Sequence, residues 1–331
     1  MPCTIDCPLG SPPAASTTAS RFGRAWQKYA AYPLRLAFAG HADVVHVLDH
    51  SFAHLLQYAP KRSFKIVTVH DLAPLVDGSL DPSQARRFRR TLSWLNEADL
   101  LMPVSNATAT ALRSFVTGAP RTVTVPMGVN VEAFEMRRPL PPSVALPEIP
   151  RLLSVGSVLG RKNLGVLPAI VARVQAEFGP VMLLRVGERL PAELRRQLES
   201  VLSPGHLIEF GFVASEDLVA IYQAANALLM PSTLEGFGLP VIEAMAAGCA
   251  VVASNTSSLP EIGGDAAMYF DPADPAAAAA HVVAILRTPA LRESLVERGR
   301  LRAREFTWQK HAATLVSHYL EALPQPDRHS D

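Results

Sequence analysis

NALLMPSTLEGFGLPVIEAMAAGCAVVAS, from Asn226 to Ser254, holds one complete unit of alternating structure. It opens on a short apolar run, NALLMPS, passes through a glycine-containing turn and enters an alanine-rich helical stretch. It closes on a second β-branched run, CAVVAS. Runs that are apolar almost throughout mark strands covered on both faces. A helix joining two such runs makes a parallel crossover. Pro240 suits an early helical position, where its missing N–H costs nothing. Gly236 and Gly238 let a ligand approach the backbone closely, and Ala244, Ala246, Ala247 and Gly248 let the helix lie close to its sheet.

The same alternation extends outward in both directions. RLLSVGS, PVMLLRVG and HLIEFGFV precede the unit and AAMYFDP follows it, so this half of the chain offers six strand candidates, enough for a complete doubly wound parallel sheet. A helical region, Pro275–Glu305, and an amphipathic segment, Phe306–Leu323, end it. The first half repeats the pattern with DVVHVLD (Asp43–Asp49), FKIVTVHD (Phe64–Asp71), ADLLMPVS (Ala98–Ser105) and TVTVP (Thr122–Pro126), separated by helical segments that include Pro82–Asn96 and Asn106–Val116. Between the halves, MRRPLPPSVALPEIP (Met136–Pro150) has five prolines and no period, and reads as a linker. The expectation is an α/β protein of two Rossmann-like domains: residues 1–140, residues 141–305, and a terminal helix at 306–325. A Rossmann domain begins with a strand, a glycine turn and a helix. Here the residues ahead of Asp43 read as a small, polar tail followed by helical or disordered sequence, so the first domain lacks its opening strands.

Composition narrows the function. A formal net charge of +1 over 331 residues argues against a nucleic-acid binder driven by whole-surface charge. Cys3, Cys7 and Cys249 make no disulfide framework, and Cys3 and Cys7 lack the further ligands of a tetrahedral metal site. No apolar run reaches the length of a membrane span, and the N-terminus lacks the basic start and apolar core of a signal peptide. The default reading is a cytoplasmic protein, with peripheral contact at the inner membrane surface left open.

The chemistry turns on Glu235 and Glu243, which flank a helix start that attracts anions. A carboxylate repels phosphate but accepts hydrogen bonds from hydroxyls, as the acidic residue of a dinucleotide fold does with a ribose diol. Two carboxylates around an anion site suggest two polyols around a diphosphate, which is the layout of a nucleotide-sugar. The diphosphate then needs cations. SVGSVLGRKN (Ser154–Asn163) supplies Arg161 and Lys162 at a strand end, where open parallel sheets bind ligands. No D-x-D pair occurs in the chain, which disfavours a sugar–diphosphate enzyme that grips its substrate through a metal.

These residues resemble a family. E-G-F-G-L-P-V-I-E matches the E-x7-E signature of retaining GT-B-fold glycosyltransferases of family 4, also called glycosyl transferases group 1. GRKN, FGFV, LVAIYQAANALLMPS and AAGCAVVASNTSSLPEIGGDAAMYFDP agree with it, as do VHVLD, IVTVHD, ADLLMPVS and VPMGVN in the first half. The resemblance implies that Glu243 binds the ribose hydroxyls, that Glu235 lies by the donor sugar, and that the backbone of Gly236, Phe237, Gly238 and Leu239 touches sugar hydroxyls and phosphate. It assigns Arg161 and Lys162 to the departing diphosphate and His70 to the donor sugar. It implies retaining, metal-independent transfer of a hexosyl group from a nucleotide-diphosphate sugar to a hydroxyl of a saccharide or glycolipid, with no cofactor. Three features depart from the family pattern: Ser157 follows Gly156 where an arginine is common, Met127 replaces a usual asparagine, and the first strand with its glycine loop is missing. The last departure keeps an alternative open, a truncated or degenerate non-catalytic homologue that binds nucleotide-sugar or a partner subunit.

Simpler roles suit other residues. Asp71 reads as a structural partner or cap, Ser105 as the cap of the following helix, and Cys249 as a small buried apolar residue. ARRFRRTLSWL (Ala85–Leu95) reads as a solvated basic helix face in preference to a contact with anionic lipid.

Overall fold

The computed structural model describes residues 26–38, 40–78, 80–118, 120–140 and 146–323. The N-terminal tail, with Cys3 and Cys7, and part of the proline-rich linker lie outside them. The chain forms two compact units. Residues 26–104, 109–125 and 314–323 make one, and residues 105–108 and 126–313 the other.

The first unit is built on a parallel sheet of β1 (Val44–Val47), β2 (Phe64–Val69), β3 (Leu100–Pro103) and β4 (Arg121–Thr122), in that spatial order. Val67, Val69 and Leu101 enter a core with Leu55, Leu56, Leu92 and Leu95. Their sequence neighbours Ile66, Leu100 and Met102 enter a second core with Val125, Leu315 and Tyr319. Successive side chains point to opposite faces, so burial on both sides explains why these runs are apolar throughout. The expected TVTVP strand is shorter than read, although Val123 and Val125 still donate to the Leu101 and Pro103 carbonyls. Among the described residues β1 pairs with β2 alone, and the chain ahead of it is helical at Gln27–Ala31 and Tyr32–Ala37. The helix Trp308–Ala322 contributes Tyr319, whose hydroxyl lies 2.5 Å from His46 Nδ1, while His46 Nε2 meets Thr68 Oγ1 at 2.8 Å.

The second unit holds all six expected strands: β5 (Arg151–Gly156), β6 (Met182–Gly187), β7 (Leu207–Gly211), β8 (Ala227–Met230), β9 (Ala250–Ser254) and β10 (Ala267–Phe270). They are parallel, in the order β10-β9-β8-β5-β6-β7. The chain therefore winds outward one way from β5 and the other way from β8. β5 and β8 are neighbours, and the order reverses between them, which is the point where open α/β sheets bind ligands beyond the carboxyl ends of the strands. Residues 126–140 join this unit, ahead of the domain boundary expected at 140. Val129 N–H donates to Phe306 O, and the Gln223 amide donates to the carbonyls of Phe134 and Met136. Among the described residues no helix is long and apolar enough to cross a membrane.

Candidate functional site

The reversal brings together two stretches far apart in sequence: the loop leaving β5, with Arg161 and Lys162, and the loop leaving β8, with Glu235. Thr233 N–H donates to Arg161 O at 2.8 Å and ties the two loops. The first loop is also held from below. Arg185, buried within β6, donates to Gly156 O at 2.6 Å and Ser157 O at 3.1 Å. Burial lowers the Arg185 pKa, while Glu209 and Glu188 favour its charge. Arg161 and Lys162 lie in a short 3-10 turn, Gly160–Lys162, closed by Asn163 in the left-handed region (φ 50°) with its amide on Pro272 O at 3.0 Å.

Glu235 is 7% exposed, and both cations reach it. Lys162 Nζ lies 2.6 Å from Oε1, and Arg161 Nη1 lies 3.7 Å from Oε2. Its peptide and the two that follow are clasped by hydroxyls. Glu235 N–H donates to Ser257 Oγ at 2.8 Å, and Ser258 Oγ donates to the carbonyls of Glu235 and Phe237 at 3.0 and 2.8 Å. Ser105 Oγ and Thr108 Oγ1 donate to Gly236 O at 2.6 and 3.1 Å. With the carbonyls occupied, the N–H groups of Gly236, Phe237 and Gly238 have no acceptor among the described residues. Gly238 supports this geometry with φ of 104°, a conformation an L side chain rarely adopts, and hands the chain to the helix Leu239–Ala247. The result is a rim of unused donors at a helix start beside two cations, an arrangement suited to an anion.

Glu243 sits within that helix, partly buried, and accepts a hydrogen bond from Tyr222 Oη at 2.8 Å. Burial raises its pKa, with the Tyr222 bond opposing. The Tyr222 phenol is itself pushed well above its ordinary value by burial and by the neighbouring carboxylate. One carboxylate at the site is thus matched by cations and the other by a phenol.

His70 belongs to the first unit, at the carboxyl end of β2, where Nε2 lies 2.9 Å from Leu48 O. Near it His50 is buried, and burial lowers its pKa against the pull of Asp49 and Asp71. Asp71 accepts from Ala73 N–H at 3.1 Å, and Ser105 Oγ also accepts from Thr108 N–H, capping the helix Asn106–Arg113. Cys249 is buried, and its thiol is raised to about 12 by desolvation, which leaves it inert.

The family model "Glycosyl transferases group 1" matches residues 141–302, and "Glycosyltransferase Family 4" matches residues 9–133. The chain is 30% identical over 277 residues to O-antigen chain mannosyltransferase B of Escherichia coli, covering 79% of this chain and 72% of that one. It belongs to the GT-B-fold glycosyltransferases of family 4.

Further relatives match over most of this chain. MMP alpha-(1->4)-mannosyltransferase of Mycolicibacterium hassiacum is 30% identical over 305 residues, covering 86% of this chain and 72% of the relative. Against the Escherichia coli serotype-specific mannosyltransferase WbdA the chain spans 31% of the relative's length. Sucrose-phosphate synthase from Thermosynechococcus elongatus superposes with a TM-score of 0.72 at 27% identity, over 88% of this chain and 76% of that one. Of the expected site residues, Arg161, Lys162, Glu235, Gly236, Phe237, Gly238, Leu239 and Glu243 lie in the second unit and His70 lies in the first. Sequence reading missed Arg185, Thr108, Tyr222, Ser257 and Ser258. The one local signal among them was Arg185, a charge inside the apolar run PVMLLRVG.

Proposed function

We propose that the protein is a retaining, metal-independent hexosyltransferase that moves a sugar from a nucleotide-diphosphate donor to a hydroxyl of a saccharide or glycolipid. The observation that carries this reading is the meeting of Arg161 and Lys162 with Glu235, at the head of the turn that leads into the helix Leu239–Ala247, at the switch point of the second sheet. In the proposed mechanism the diphosphate lies across the unused N–H groups, and Arg161 and Lys162 hold the charge that grows on it as the glycosidic bond breaks. The acceptor hydroxyl attacks on the same face and gives its proton to the leaving diphosphate. Glu243 takes the ribose diol, Glu235 lies by the donor sugar, and His70 acts toward that sugar. The names of the relatives make mannose the first sugar to test.

A thermal-shift panel of nucleotide-sugars, GDP-mannose and UDP-glucose included, tests the donor. A ligand at a hundred times its dissociation constant stabilises the fold by about 2.7 kcal/mol. A panel that leaves melting unmoved removes the donor assignment. NMR of the product anomer decides retention, and activity that survives a chelator decides metal independence. Cytoplasmic placement with peripheral contact at the inner membrane surface belongs to the same reading. Arg86, Arg87, Arg89 and Arg90 on the helix Pro82–Ser93 form the exposed, solvated face that such a contact would use, and co-sedimentation with anionic vesicles checks it.

Glu243→Gln separates stability from binding. The raised folded-state pKa means the unfolded chain ionises first. Stability is therefore unpenalised below the unfolded value, falls as pH rises from there through the folded value, and carries the full penalty above it. The variant escapes that penalty and can still accept from Tyr222. At pH 8 its melting temperature is expected to equal or exceed that of the wild type, while donor affinity falls by about tenfold or more. Wild-type affinity should itself weaken as pH falls through the Glu243 titration.

Ser105→Ala with Thr108→Val removes both donors to the Gly236 carbonyl. The expected result is a several-fold rise in donor KM, a loss of about 1–2 kcal/mol, with the conservative pair Ser105→Thr and Thr108→Ser recovering most of it. An unchanged KM would show that the clasp does not orient the loop.

A further inference from the structure

We propose that the second unit carries a separate site for phosphate-bearing ligands, at the amino ends of its strands. A cavity of about 930 Å³ lies there, bounded by Arg151 at the start of β5, Asn226 just ahead of β8 and Gly248 just ahead of β9. Four further arginines line it: Arg137, Arg292, Arg300 and Arg304. The candidate donor site lies at the opposite ends of the same strands. At the rise of a β-strand, the six residues of β5 separate the two by roughly 20 Å.

Neighbouring negative charge accounts for part of this cluster. Arg304 pairs with Glu135 at 2.7 Å. The carboxyl ends of the helices Ser215–Ala224 and Leu239–Ala247 each carry about half a negative charge. The first takes Arg151, whose Nε donates to Ala224 O at 2.6 Å, and Arg300 lies beside Gly248 at the end of the second. Two helix ends match about one arginine between them. Glu293 and Glu297 also line the cavity, yet neither is within ion-pair distance of an arginine among the described residues. No carboxylate pairs with Arg137, Arg292 or Arg300 among those residues either.

The spacing points the same way. Arg292, Val296, Arg300 and Arg304 recur every fourth residue along the helix Pro289–Ala303 and its cap, so they share one face. Like charges at that spacing repel. Arg137 and Arg151 add to the same cavity from distant parts of the chain. Converging guanidinium groups that are short of counter-charge fit a multiply charged phosphate, which each can hold in a two-bond fork. A sugar phosphate in solution and a phosphorylated lipid headgroup present the same chemistry.

The test is calorimetric titration of the full chain with inorganic pyrophosphate at fixed ionic strength. Arg161→Ala with Lys162→Ala, which removes both cations of the donor site, should leave one binding event. Adding Arg292→Gln and Arg300→Gln should weaken that event at least tenfold without lowering the melting temperature. If the Arg161→Ala, Lys162→Ala protein retains no binding, or if the residual event survives the Arg292 and Arg300 changes, the proposal fails. It fails equally if sulfate binds as tightly as pyrophosphate, because general charge attraction then suffices. A hexose 6-phosphate and vesicles containing phosphatidic acid form the second arm. Binding of either, lost with Arg292 and Arg300, supports the site and names its source, and binding of neither overturns it.

Discussion

Replacing Lys162 by alanine is expected to lower kcat by about 10²–10³-fold, a loss of roughly 3–4 kcal/mol of transition-state stabilisation. Under the proposed function this ammonium meets the diphosphate as negative charge accumulates on it, so its effect appears in kcat more than in donor KM. The structure adds a second consequence. Lys162 Nζ is also the nearer partner of the buried Glu235 carboxylate, at 2.6 Å, and Arg161 stands at 3.7 Å. Removing one partner of a buried pair costs about 3–5 kcal/mol when the remaining charge is orphaned. Arg161 stays, so a smaller stability loss of about 1–3 kcal/mol is expected. The two consequences separate in the double variant Lys162→Met with Glu235→Gln, which removes both charges. Stability should return toward the wild-type value while activity stays low. If activity returned with stability, Lys162 would serve only to neutralise Glu235, and its assignment to the leaving group would fall.

The strands were legible because the physics behind them is local. A run such as ALLM or AVVAS is buried on both faces, and only continuous apolar sequence satisfies that. The Glu235–Glu243 stretch was legible for a related reason: helix start, glycines and carboxylates are contiguous. What holds that stretch in shape was not. Ser105 and Thr108 bond to Gly236 across more than a hundred residues of chain, and Tyr222 reaches Glu243 from the preceding helix. A serine before a helix reads as a cap, and Ser105 is one, but its second partner exists only after the sheet has formed. The beginning of the second unit was obscure for the same reason. Prolines after Met136 signal an absence of regular structure, while the bonds from Gln223 that draw residues 134–138 onto this unit are made by a side chain with no local signature.

Gly187→Ala should produce the largest loss of stability among single methyl additions near the site. Gly187 ends β6 in register with Gly156, the last residue of β5. Its φ is 109°, and a Cβ there would stand 2.3 Å from Gly156 O and 3.0 Å from Gly156 C. Both obstacles are backbone, so no side chain can swing aside. Backbone strain at such a φ costs about 1–3 kcal/mol and an overpacked contact about 1–3 more. A total of roughly 2–5 kcal/mol is expected, seen as a drop in the melting temperature of the second unit. The clash also falls on the carbonyl that Arg185 holds at 2.6 Å, so relief of the strain must displace the loop that carries Arg161 and Lys162. Donor affinity should therefore fall together with stability. Gly165→Ala provides the control. Among the described residues outside its own turn no atom lies within 4 Å of where the added methyl would stand, and its φ is not positive, so it should be neutral or stabilising by up to about 1 kcal/mol. Equal melting temperatures for the two variants would mean that the β5 and β6 ends can spread apart freely, and the first loop could not then be a rigid platform for the two cations.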